Sequence, residues 1–103
     1  MNVEALLNYH RKLCNSAQVL MADKNHDYAG AGGADPFRNF AAIEKLGISS
    51  AETGLLIRMV DKLNRLITFV QDGRLVVSNE GVEDALLDLI NYSVILGAYI
   101  QED

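Results

Sequence analysis

The sequence predicts an all-α fold: one compact four-helix domain with two long antiparallel helices, assembled as an oligomer. Three observations carry this. Apolar residues recur at three- and four-residue steps through most of the chain. Eight glycines and a single proline fall mainly between the periodic segments. The chain has 103 residues, enough for one core and too few for two, so residues 1–103 read as a single domain.

In the first segment Val3, Leu6, Leu7, His10, Leu13, Cys14, Ala17, Leu20 and Met21 form one apolar stripe on a helix of about five to six turns. His10 and Cys14 lie on that stripe and read as core residues. The stretch D-K-N-H-D-Y-A-G-A-G-G-A-D, Asp23 to Asp35, reads as a mobile or ligand-ordered loop because of its glycines. Asp35-Pro36 has the form of a helix start, Asp35 as N-cap and Pro36 at the first helical position. A short helix follows through Phe37, Phe40, Ala41, Ile43 and Glu44 and ends near Gly47. Ser49 to Glu52 has the spacing of a capping box, opening a long helix to about Val70. Asp72-Gly73 is a turn, Arg74 to Val77 a brief apolar run, and Ser78 or Asn79 the cap of a last helix to about Ile100.

Composition narrows the function classes. Half of the residues are apolar and 22% are charged, which suits a folded chain and not a disordered one. No uncharged apolar run approaches the ~18 residues that span a bilayer. The start, Met1-Asn2-Val3-Glu4, lacks the basic and apolar regions of a signal peptide, and a lone Cys14 forbids an internal disulfide. A cytoplasmic location is the expectation. A net charge of −5 argues against coating polymeric nucleic acid, yet permits a local basic pocket for a small phosphorylated ligand.

The two long helices carry the candidate residues. On the first, Leu56, Met59, Val60, Leu63, Leu66, Ile67 and Val70 share an apolar face. Arg58, Asp61, Lys62 and Arg65 fall within an arc of roughly 100° on the other. Such a stripe can grip phosphate, Arg through a fork of donors and Lys as a point charge, or it can be a solvated face with internal ion pairs. The last helix is apolar on nearly every side in its second half, which suggests burial in the core or against another subunit. Its first half carries Glu80, Asp84, Asp88 and Asn91 along one side, with Glu83 beside them. Glu80 and Glu83 suit the positive end of the helix dipole. Asp84 and Asp88 are the stronger functional acids, because carboxylates entering a core need partners. The basic stripe is one partner. The other is a hard cation such as magnesium, held by Asp61, Glu80, Asp84 and Asp88. In the glycine-rich segment Lys24 is placed to meet phosphate, with Asp27 beside it, and Tyr28 to stack on a base. That segment lacks the G-K-[ST] ending of a Walker A loop.

K-N-H-D-Y (Lys24 to Tyr28), D-P-F-R-N-F (Asp35 to Phe40), R-M-V-D-K-L-N-R-L (Arg58 to Leu66) and E-G-V-E-D-A-L-L-D-L-I-N-Y (Glu80 to Tyr92) resemble the small phage and prophage family called nucleotide modification associated domain, type one. The resemblance covers about residues 21–101 and implies a role in nucleotide metabolism or DNA base modification. More loosely, the layout is similar to the all-α nucleoside triphosphate pyrophosphohydrolases of the MazG and dimeric dUTPase type, which bind magnesium through E-x-x-E and E-x-x-D pairs on successive helices. Here the last helix offers acids, but the preceding one has only Asp61 among its cations, which weakens a two-metal hydrolysis.

Two readings follow. One is a magnesium-dependent nucleoside triphosphate pyrophosphohydrolase with Asp61, Asp84 and Asp88 on the metal and Lys24, Arg58, Lys62 and Arg65 on the phosphates. The other is a non-catalytic sponge that sequesters a cyclic dinucleotide or related immune signal, an anti-defence protein acting in the host cytoplasm. Both share the binding of a phosphorylated nucleotide, and a homodimer or homotetramer is the expected assembly.

Overall fold

The structure, a computed structural model, describes residues 1–29, 38–74 and 81–102, with side chains at 1–24, 40–74 and 81–102. All regular structure among these residues is helical: α1 (Val3–Ala29), α2 (Arg38–Lys45), α3 (Ala51–Asp72) and α4 (Val82–Glu102). No helix among the described residues is long and apolar enough to cross a membrane.

The first helix is longer than its apolar stripe. α1 runs on through Asp23–Ala29, where the sequence suggested a loop. No glycine or proline interrupts the chain before Gly30, and Lys24 to Tyr28 have ordinary helix propensities, so the helix simply continues. Its stripe is only half covered. Leu13, Cys14, Leu20 and Met21 are half-buried and Ala17 is buried, whereas Val3, Leu6, Leu7 and His10 are exposed. His10 is therefore a surface residue rather than a core one, with Nδ1 3.7 Å from the Cys14 sulfur.

α2 ends in a Schellman motif. Gly47 takes a left-handed φ of 72°, its N–H donates to the Glu44 carbonyl at 2.9 Å, and Ile48 N–H donates to Ile43 at 3.2 Å. Ser50, not Ser49, caps α3: its Oγ accepts from Thr53 N–H at 3.1 Å, while Ser49 Oγ donates to the Ser50 carbonyl. The far end closes on Gly73, at φ 75°, whose N–H reaches the Phe69 carbonyl at 2.7 Å. At the start of α4, Asp84 Oδ2 accepts from Gly81 N–H at 3.0 Å, which ties down the first turn. The Asp35-Pro36 start, the apolar run through Val77 and the Ser78 or Asn79 cap lie outside the described residues.

α4 is the central helix, with α3 and α1 packed against it and α2 against α3. Ala51 and Leu55, near the start of α3, pack with Phe40 against Ile43, Tyr92, Ile95, Leu96 and Tyr99. Lys62, further along α3, meets Asp88, earlier on α4. The two long helices are thus antiparallel, as the sequence suggested. Glu44 ties three elements together: Oε1 accepts from Ala51 N–H at 2.8 Å and Oε2 from the Tyr99 hydroxyl at 3.2 Å. Contact on two sides within one chain covers much of the apolar circumference of α4, while Val94 and Ile100 stay exposed.

α3 is rotated from expectation. Leu56, Val60, Leu63, Ile67 and Val70 face solvent while Met59 and Leu66 are half-buried. Of the charged stripe, Lys62 and Arg65 are half-buried towards the fold while Arg58 and Asp61 stay exposed. The reason lies on α4. Its buried polar residues need donors opposite them, and the cationic side of α3 supplies one.

Leu55 is fully buried at the centre of the cluster. Leu55→Ala should cost about 2–5 kcal/mol, read as a lower denaturation midpoint with an unchanged slope. Gly73→Ala, forced into a left-handed conformation, should cost about 1–2 kcal/mol in the same assay.

Candidate functional site

α4 carries two buried polar side chains, Asp88 and Asn91, on one face and within one turn. A buried carboxylate is costly without partners. Asp88, with 5% of its side chain exposed, has two. Lys62 Nζ of α3 lies 3.0 Å from Oδ2, and Lys24 Nζ of α1 lies 3.1 Å from Oδ1. Each oxygen holds a different ammonium group, and the two cations arrive from different helices. Asn91 continues this seam: its Nδ2 donates to the Ala17 carbonyl of α1 at 3.0 Å.

The two lysines differ in access. The Lys62 side chain is 11% exposed and that of Lys24 43%. Lys62 is therefore part of the packed interior, whereas Lys24 joins the carboxylate from the rim and keeps much of its surface in water. Arg65, one turn beyond Lys62, is half-buried with its Nε shielded from solvent. The cluster sets two ammonium groups on one carboxylate, with Lys24 at its partly open edge. This arrangement can receive an anion at Lys24 without leaving Asp88 unpaired, because Lys62 remains.

The candidate residues are not all gathered here. The structure brings Lys24, Lys62 and Asp88 into direct contact and sets Arg65 on the same side of α3 as Lys62. Arg58 and Asp61 are exposed on α3. Asp84 is exposed and engaged with the first turn of α4. Asp27 and Tyr28 lie towards the end of α1 with their side chains outside the described ones, and Glu80 falls outside altogether. Among the described residues no three His, Cys, Asp or Glu side chains form a group able to hold a metal ion. Both Asp88 oxygens face ammonium groups. The sequence set Asn91 in line with Asp88 but gave it no partner, and nothing in it pointed to the bridging role of Glu44. An open cleft of about 310 Å³ between α1 and the start of α4, lined by Tyr9, Lys12, Leu13, Val82, Glu83 and Leu86, contains none of the candidates.

Fold and site together define a small all-α domain whose central helix buries a carboxylate between lysines of two flanking helices. The model of the family described as nucleotide modification associated domain 1 matches residues 24–101, and the chain belongs to that family. Lys24, Lys62 and Asp88 all lie within the match. No curated protein and no solved structure matches the chain.

Asp88→Ala removes the charge that Lys24 and Lys62 share and should cost about 3–5 kcal/mol of stability in denaturant titration. Lys24→Ala, at the exposed rim, should cost about 1 kcal/mol or less.

Proposed function

We propose that this protein binds a phosphorylated nucleotide at the edge of the Lys24–Asp88–Lys62 cluster, with Arg65 adding to the positive field. The observation that carries the reading is the pairing of two lysines with one buried carboxylate. Asp88 holds Lys62 in place, and Lys24 is the exposed cation able to turn one of its donors to a phosphate oxygen. Asp27 and Tyr28, one turn beyond Lys24, belong to the same proposal as contacts to the nucleoside. Membership of a family described by nucleotide modification supports the ligand class.

Capture suits this site better than cleavage. A magnesium-dependent pyrophosphohydrolase needs carboxylate oxygens free for the ion, and those of Asp88 are engaged by ammonium groups. A sponge for a nucleotide signal, cyclic dinucleotides included, needs only the cations and a surface for the base.

The test incubates the protein with nucleoside triphosphates and cyclic dinucleotides, with and without magnesium, then denatures it by heat and recovers the ligand. Intact ligand is expected, together with affinity independent of magnesium. Lys24→Ala should weaken binding by about 1.5–3 kcal/mol, roughly tenfold or more, while the fold is retained. Magnesium-dependent release of pyrophosphate would replace capture with hydrolysis. No bound nucleotide of any kind would overturn the proposal.

A further inference from the structure

α3 shows an apolar face that no described part of the chain covers. Leu56, Val60, Leu63, Ile67 and Val70 are between 43% and 81% exposed. Their spacing alternates four and three residues, the period of a coiled-coil seam in which Val60 and Ile67 take the a positions and Leu56, Leu63 and Val70 the d positions. A lone surface leucine needs no explanation, but five in strict register along about 21 Å of helix form a continuous strip of the kind that marks an interface.

The occupant is indicated by the dimensions of the chain. Its accessible surface is 7416 Å², where a compact monomer of 11.3 kDa exposes about 5,700 Å². Its radius of gyration is 15.4 Å, against about 12.8 Å for a compact domain of this length. The surplus of roughly 1,700 Å² exceeds the ~800 Å² that each partner contributes to a standard interface. The exposed surface is thus ample for an association of standard size. The seam also suits a copy of itself. Asn64 and Gln71, which flank it, are uncharged, and Lys62 and Arg65 lie on the opposite side of α3, so two seams meet without a row of like charges.

We propose that α3 is the homodimer interface, with the Leu56–Val70 seam packed on the same seam of a second copy. The sequence pattern offered α4 instead, as a helix buried in the core or against another subunit. The site cations face inward on each protomer, so the two clusters lie on the outer sides of the paired α3 helices.

Light scattering and sedimentation at tens of micromolar should report twice the 11.3 kDa chain mass. Leu63→Glu combined with Ile67→Glu should reduce the particle to one chain while keeping the helical circular dichroism, since both side chains are exposed within the protomer. Val94→Glu, at an exposed apolar position of α4, should stay dimeric. Should the double variant unfold, cysteine cross-linking decides: in a Cys14→Ser background, Leu63→Cys should form a disulfide-linked dimer on oxidation and Val94→Cys should not. Leu63 is the centre of the seam, so pairing in either direction places it beside its counterpart. A monomeric wild type, a dimer that survives Leu63→Glu with Ile67→Glu, or cross-linking at Val94 instead of Leu63 would overturn the proposal. A surviving dimer would point to another exposed apolar pair, such as Leu6 and Leu7 of α1 or Leu46 and Ile48 after α2.

Discussion

The rest of the fold depends on a carboxylate kept out of water. Asp88 sits on the most apolar helix, almost fully buried, and its charge is tolerable only if cations come to it. They come from both sides, Lys62 from α3 and Lys24 from α1. This requirement helps to fix which face of α3 turns inward and draws α1 beyond its own apolar stripe. The burial of Ala51 and Leu55 against Phe40 selects the same face near the start of α3.

Once α3 has turned its cations inward, its regular apolar strip is left outside. In the proposed dimer, structure and assembly are coupled through a single helix. Leu55 and Lys62 of α3 serve the protomer, and the Leu56–Val70 strip would serve the second copy. A helix used in this way needs few residues in the interior, which fits a core whose only fully buried large side chain among those described is Leu55. The same division keeps Lys24 at the rim, where a soluble anion can reach it.

Helix number and type were legible in the sequence because periodicity and sparse glycine speak locally. The turn at Gly73 and the end of α2 near Gly47 were legible for the same reason: each needs a positive φ that glycine meets without strain. The rotation of α3 was not. Its stripe is equally regular seen from either side, and the usual rule that apolar faces point inward fails when the neighbouring helix buries a charge. The extent of α1 was not legible, because the polar residues Asp23–Tyr28 run directly into a glycine-rich stretch and share its loop-like composition. Of the candidate site, the need of Asp88 for cationic partners was readable from its depth in α4. That Lys24 would be one was not, since the two residues are 64 positions apart.

The bond from Asn91 to Ala17 has a consequence for the alignment of α1 along α4. A helix presents a similar carbonyl at every turn, so a slip of α1 by one turn, about 5.4 Å, would offer Asn91 the carbonyl of Leu13 or Met21 in place of Ala17. The amide is indifferent to such a ratchet. The ammonium group is not, because one turn either way from Lys24 the sequence has Leu20 or Tyr28 and no cation. The two contacts therefore behave like the coarse and fine marks of a vernier. The amide holds α1 at the right distance in any of several notches, and the lysine admits only one of them.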